Sequence, residues 1–257
     1  MAVVLVVGGT GTLGRHLVPA LRDRGHTVRV LSRSASPSVP AGTTACRGDV
    51  RTGEGLDLSL DGVDTVIDAV AGRARVRETE LAGMGNLLRR CGGRHLVYVS
   101  IVGVDRHRFP YYRVKWEAEQ LLERSGTGWT VQRATQFHPL VDRFLRRGWF
   151  VRTPQLRFQP VDPAEVSTRL ADLVEQGPAG RVPDFGGPEV LGIDQLAAVR
   201  AAVTGRRTRL VPLPPVGFLA DFGRGLQLCP DHLSGTVTWE QWLRASLRPG
   251  RGTKTSS

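Results

Sequence analysis

The stretch Val3-Val4-Leu5-Val6-Val7-Gly8-Gly9-Thr10-Gly11-Thr12-Leu13-Gly14 decides how this chain folds. Its apolar run predicts a strand over Ala2 to Val7, and the glycines that follow satisfy both GxxGxxG and GxGxxG. Leu13, Leu17 and Leu21 then recur every four residues, the buried stripe of a helix over Thr12 to Arg24 that Gly25 ends as a cap. Glycine allows the tight turn and the close approach of backbone to phosphate, while the helix N-terminus offers unpaired N–H groups to an anion. Glycine-rich turns also arise for backbone reasons alone. The flanking strand and amphipathic helix are what favour dinucleotide binding.

Downstream, β-branched runs predict strands at Thr27 to Leu31, Thr43 to Cys46, Thr65 to Ala69, His95 to Val99 and Thr130 to Arg133. Helices are expected at Arg75 to Arg90 and Tyr111 to Ser125. This alternation predicts an α/β protein with a doubly wound parallel sheet. After Pro139 the alternation weakens. A helix over Pro163 to Glu175 and a short strand near Val182 to Phe185 return the chain to the sheet. Pieces at Asp194 to Thr204, Val216 to Leu228 and Thr238 to Leu247 predict a small C-terminal substrate lobe. The expected organisation is one nucleotide-binding domain over 1–248, its lobe drawn from about 139–160 and 188–248, with a disordered tail at 249–257.

The second strand ends in Ser32-Arg33-Ser34, with no carboxylate. An acid there would hold the adenosine ribose hydroxyls, whereas an arginine accepts a 2′-phosphate. Arg33, with Ser32 and Ser34 as hydroxyl donors, therefore predicts NADP(H) over NAD(H); the plainer alternative is one more solvated arginine. Asp49, in Gly48-Asp49-Val50, has the chemistry to accept from the adenine amino group and equally that of a turn aspartate.

Tyr111-Tyr112-Arg113-Val114-Lys115 places a tyrosine and a lysine four apart on one helix face. Ala118 and Leu122 continue that stripe, so the lysine is expected to lean on the protein body. A phenol beside an ammonium has its anionic form favoured and suits proton transfer. Tyr111 and Lys115 are thus candidate catalytic residues, with Tyr112 as the rival phenol. Ser100, at the end of its strand, is a candidate hydrogen-bonding partner for a substrate oxygen. Of 35 basic residues only Lys115 and Lys254 are lysine, and arginine cannot replace lysine as a compact donor. His138, in Arg133-Ala134-Thr135-Gln136-Phe137-His138-Pro139, is a candidate for lining a substrate pocket and equally for packing. The histidines show no ligand-like spacing, so no metal is expected.

A length of 257 residues suits one large domain or a main domain with a smaller lobe. Apolar residues at 40%, charged residues at 23% and a mean hydropathy of −0.16 exclude a fibrous or wholly disordered chain. No apolar run reaches the roughly 18 residues of a membrane span, and the N-terminus lacks the basic flank of a secretory signal. A cytoplasmic protein without a membrane partner is expected. Cys46, Cys91 and Cys229 show no metal-type spacing and imply no disulfide framework. The net charge of +11 is arginine spread along the chain, without a nucleic-acid-binding signature. No nucleic-acid partner is expected, anionic small molecules suit the charge as well, and oligomeric state stays open.

With the glycine turn, the strand ending in Ser100, the YxxxK spacing and Arg133 to Pro139 in this order, the chain resembles the atypical short-chain dehydrogenases/reductases. It is most similar to their NmrA-like, NAD(P)H-binding branch, over about Val3 to Leu247. The resemblance implies a Rossmann fold with NADP(H) across the strand ends. By position it implies that Gly8, Thr10, Gly11, Thr12, Leu13 and Gly14 hold the pyrophosphate, Ser32 and Arg33 the 2′-phosphate, and Asp49 with Val50 the adenine. Ala69, Val70 and Ala71 would follow the ribose, and Ala134, Thr135, Gln136 and Phe137 would approach the nicotinamide. Asn86 matches a helix asparagine of related enzymes and is read as structural. Asp68 stands where relatives often have a histidine.

Two classes of function are compatible with these residues. One is an NADPH-dependent reductase that passes a hydride to a carbonyl, enone or quinone of a small aromatic or natural-product metabolite. Tyr111 would supply a proton and Lys115 would hold the nicotinamide ribose. The other is a non-catalytic NADP(H)-binding sensor that reports redox state to a protein partner, with Arg143 to Arg152 as a candidate surface. A lyase or isomerase that uses the cofactor without net redox change is a third reading.

Overall fold

The computed structural model describes residues 1–34, 36–72, 75–153 and 155–247. They fall into two compact units, Met1–Ala134 with Pro163–Phe185, and Thr135–Asp162 with the residues from Gly186 on. The first unit begins with β1 (Val3–Val7), α1 (Gly14–Asp23), β2 (Thr27–Ser32), β3 (Thr44–Arg47), α2 (Leu56–Leu60) and β4 (Thr65–Asp68). A π-helical segment (Glu78–Ala82) then leads into α3 (Gly83–Cys91), followed by β5 (His95–Ile101), α4 (Pro110–Glu123) and β6 (Trp129–Ala134). The chain makes α5 (His138–Arg146), β7 (Trp149–Arg152) and β8 (Arg157–Phe158) in the second unit, and returns for α6 (Pro163–Gln176) and β9 (Gly180–Arg181). It ends in the second unit with β10 (Leu191–Gly192), α7 (Ile193–Thr204), β11 (Arg209–Pro212), α8 (Phe218–Gly223) and α9 (Trp239–Ser246).

The first unit is built on a seven-stranded parallel sheet in the order β3-β2-β1-β4-β5-β6-β9. Every residue of β4 is buried, as expected of a parallel strand covered on both faces. The strand order reverses between β1 and β4, the switch point at which such sheets bind ligands beyond the carboxyl ends of their strands. Leu17, Val18 and Leu21 bury one side of α1, and Gly25 ends it at φ +83° with its N–H on the Arg22 carbonyl at 2.8 Å. Arg24 ties α1 to α6 through Asp172 at 2.6 Å.

The second unit has its own apolar core, in which Val141, Leu145, Phe158, Leu196, Trp239 and Leu243 pack together. Beneath it, buried Asp142 accepts from Arg200 at 2.9 Å and also pairs with Arg146. Two small sheets complete it, β8 with β10 antiparallel and β7 with β11 parallel.

Several expectations need correction. The strand placed at Val182 to Phe185 forms earlier, as β9, with Phe185 making a single bridge to Ala134. The piece at Val216 to Leu228 forms only the short helix α8, bounded by Gly217 at φ +58° and Gly225 at φ +76°. The segment expected as one helix from Arg75 to Arg90 is interrupted by the π-helical stretch at Glu78–Ala82. α5 was not foreseen, although Pro139 in its first turn favours a helix start there. The predicted tail at 249–257 lies outside the described residues. Among the described residues no helix is long and apolar enough to cross a membrane.

Candidate functional site

The turn after β1 is shaped by what glycine lacks. Gly8 takes φ +84°, and a Cβ there would stand 2.9 Å from the backbone of Ala69. A Cβ on Gly14 would stand 2.3 Å from the Gly8 carbonyl, and one on Gly9 2.7 Å from Val30. The turn is therefore pressed against β2 and β4, and the Gly11 N–H closes it on the Gly8 carbonyl at 2.9 Å. Thr10 and Gly11 form its exposed rim, Thr12 is half-buried and Leu13 is buried. No acidic residue stands in the first turn of α1, so nothing offsets the positive end of that helix. A glycine cradle at an uncompensated helix N-terminus fits a pyrophosphate.

Ser32 and Arg33 stand at the end of β2, with Arg33 exposed and the Ser32 hydroxyl accepting the Ser34 N–H at 3.2 Å. Asp49 is already engaged. Both its oxygens take the Arg51 guanidinium, at 2.6 and 3.1 Å, and this hydrogen bonding holds its carboxyl below the usual range despite partial burial. Arg33 adds a smaller electrostatic pull on the same carboxylate. Buried Val50 follows, and Asn86 clamps this loop by donating to the Val50 and Arg51 carbonyls, each at 2.9 Å.

Lys115 is buried, and its ammonium is already engaged by protein groups. It donates to Glu80 Oε2 at 3.1 Å and to the Val99 carbonyl at 2.7 Å, and lies 4.1 Å from the centre of the Tyr98 ring. Tyr98 donates to the same Glu80 oxygen at 2.8 Å. On the other oxygen, Oε1, Glu80 accepts Tyr111 Oη at 3.4 Å and the Gly72 N–H at 3.3 Å. Tyr111 is therefore not activated as the YxxxK spacing led one to expect. Burial first, then the Glu80 charge and hydrogen bond, push its phenol well above the ordinary tyrosine range. Tyr112, the rival phenol, is buried and packs against His107 with ring centres 4.8 Å apart.

Asp68 ends β4 fully buried. Its Oδ1 accepts the Val70 N–H at 3.2 Å, which shapes the Ala69-Val70-Ala71 segment, and Oδ2 has no hydrogen-bond partner among the described residues. Burial, then the Glu80 charge, raise its carboxyl to about 7. The buried Ser100 Oγ also has no partner, one residue from the carbonyl that Lys115 holds. An orphaned buried hydroxyl costs free energy until a ligand oxygen meets it.

The spacing of the lysine motif pointed to neither Glu80 nor Tyr98. A signal for Glu80 exists: Glu80, Met84, Leu87 and Cys91 follow at steps of four, three and four and are all fully buried. The acid thus falls on the helix's apolar stripe. Arg133, at the head of the Arg133 to Pro139 stretch, is a buried clamp that grips Glu119 at 2.6 Å and Asp105 at 2.9 Å.

Ala134 ends β6 in the first unit, while Thr135, Gln136, Phe137 and His138 belong to the second. Thr135 Oγ1 accepts the Gly187 N–H at 3.2 Å, and the Gln136 amide bridges the Gln227 carbonyl and the Gln159 N–H. Phe137 caps α5 with extended backbone. His138 is buried, stacked on Trp239 and Trp242 at 5.7 and 5.5 Å, with Nε2 3.0 Å from the Val237 carbonyl. This is a packing environment, and burial lowers its imidazole to about 4. Among the described residues no group of three or more histidine, cysteine or acidic side chains is arranged to hold a metal ion.

Residues 8–139, which begin at the glycine turn and end just past β6, match the NAD(P)H-binding family model. The chain belongs to that NAD(P)H-binding family, within the NmrA-like, atypical short-chain dehydrogenases/reductases. Relatives in this family differ in what they do. The chain is 28% identical to the photosystem II assembly factor Ycf39 of Synechocystis, over 87% of this chain and 75% of the relative. It is 29% identical to a (4-alkanoyl-5-oxo-2,5-dihydrofuran-3-yl)methyl phosphate reductase of Streptomyces griseus, over 82% of this chain and 77% of the relative. Its fold matches that of the NADPH-dependent quinone oxidoreductase QOR2 of Escherichia coli, solved with NADPH. That match has a TM-score of 0.78 at 17% identity, covering 95% of this chain and 100% of the other.

Proposed function

We propose that this protein is an NADPH-dependent reductase whose acceptor is a quinone or a similarly electron-poor aromatic or natural-product compound. The observation that carries this reading is the Glu80 carboxylate between Lys115 and Tyr111, in contact with both. When bound, the reduced nicotinamide supplies a hydride. A carbonyl acceptor would then need a proton from a well-placed acid, and Tyr111 is a poor one while its phenol faces a carboxylate. A quinone needs no such donor, because its reduced oxygens take protons from water. Lys115, held against β5, and Ser100 would position the nicotinamide and acceptor oxygens, and Asp68 would fix the backbone beside the ribose. Arg33 and the lack of an acid after β2 support NADP(H). The second unit would supply the substrate lobe, and a small-molecule substrate is the partner this reading requires.

Titration with NADPH and NADH, repeated on Arg33→Ala, tests the cofactor. NADPH is expected to bind at least roughly tenfold more tightly, a margin of about 1.4 kcal/mol that the variant loses. NADPH oxidation with a soluble quinone, unchanged in Tyr111→Phe, is expected next; loss of turnover in that variant would return the proton-donor role to Tyr111. NADPH binding without turnover of quinones, enones or carbonyls would favour a second reading, a cofactor-binding regulator. That reading has support from the likeness to a protein named as an assembly factor.

A further inference from the structure

Within the second unit, β7 and β11 bring together two segments some sixty residues apart in sequence. Arg209 pairs with Trp149 and Leu210 with Phe150, while the Arg209 N–H meets the Gly148 carbonyl at 2.8 Å and Thr208 Oγ1 the Leu145 carbonyl at 2.9 Å. Phe150 and Leu210 pack on the core of this unit. Strand alternation therefore sends Trp149 and Arg209 to the opposite face. Trp149 is 58% exposed.

Around this ribbon stand Arg147, Arg206, Arg207 and Arg209, all exposed and none paired with a carboxylate among the described residues. β11 then runs into Pro212 to Phe218, seven consecutive exposed residues that include Leu213, Val216 (65% exposed) and Phe218. A cleft of about 580 Å³, walled by Arg152, Arg157, Asp194 and Pro212 to Pro215, opens beside this run.

We propose that this ridge docks the protein on an anionic lipid bilayer. Exposed apolar side chains flanked by arginines and an amphipathic tryptophan match the boundary between headgroups and acyl chains. The arginines would meet lipid phosphates, and Leu213, Val216 and Phe218 would enter the apolar layer. A nucleic acid would engage the arginines and leave the apolar run without a role. The expectation of no membrane partner rested on the lack of a spanning segment, which peripheral docking does not need.

Co-sedimentation of the full chain with vesicles tests this. Binding is expected to an equal mixture of phosphatidylglycerol and phosphatidylcholine, and not to phosphatidylcholine alone. The triple variant Arg206→Glu, Arg207→Glu, Arg209→Glu and the double variant Val216→Ser, Phe218→Ser should each weaken it at least roughly tenfold. Unchanged circular dichroism and melting would show that both variants fold. No binding to the mixed vesicles would overturn the proposal. So would binding that survives the serine variant, since that leaves only charge attraction.

Discussion

Lys115 Nζ lies 3.1 Å from Glu80 Oε2, a residue 35 positions earlier in the chain, and the two side chains are 3% and 0% exposed. Removing one member leaves a buried, uncompensated charge. Glu80→Gln and Lys115→Met are each expected to lower unfolding free energy by about 3–5 kcal/mol, and the double variant by much less than the sum. Urea denaturation of the four proteins gives the coupling. In Glu80→Gln the Tyr111 phenol should also titrate lower than in the native protein, read by absorbance against a Tyr111→Phe control.

Asp68 sets one pH dependence. Its folded value, about 7, lies above the 3.8 of a free carboxyl, so the native state holds a proton that the unfolded state has released across that window. This contribution to stability should fall as pH rises from about 4 to about 7, by up to about 4 kcal/mol. Asp68→Asn should remove that slope. Melting temperatures from pH 4 to 8 would show it, and identical pH profiles for the two proteins would contradict it.

His138 acts in the opposite sense. Burial lowers its imidazole to about 4, so the unfolded state binds the proton first and stability should drop as pH falls from about 6.5 towards 4. The loss attributable to this site is about 3 kcal/mol. His138→Phe keeps a ring in the tryptophan stack and should flatten the acid limb of the profile even if it is less stable at pH 7.

Arg133 offers a geometric test. Its guanidinium meets both Glu119 oxygens, at 2.6–3.2 Å, and Asp105 as well. Arg133→Ala is expected to cost about 3–5 kcal/mol by leaving Glu119 buried without a partner. Arg133→Lys should recover only part of this, because an ammonium cannot reproduce the fork. Denaturant midpoints of both variants measure the difference.

Legibility of the fold tracked local periodicity. The strands flanking the glycine turn, the four-residue leucine repeat of α1 and the Gly25 cap each combine a strong short-range signal with deep burial. α5 was hidden because arginines surround its two deeply buried aliphatic residues, Val141 and Leu145. β7 and β11 pair across some sixty residues, which no local pattern reveals. In the candidate site, the lysine motif indicated a burial-prone ammonium but not what would neutralise it. Glu80 approaches from another helix. Motif spacing records which groups share one element, whereas charge balance is settled between elements.

The π-helical segment at Glu78–Ala82 carries a consequence for how such a site could arise. A π turn holds one residue more than an α turn, so deleting a single residue between Gly72 and Gly83 would let the helix close normally. Each residue of an α-helix turns about 100° about its axis. The acid would swing away from the lysine by roughly that angle. A one-residue change in that turn therefore re-aims the carboxylate that neutralises Lys115, without altering either residue of the YxxxK pair.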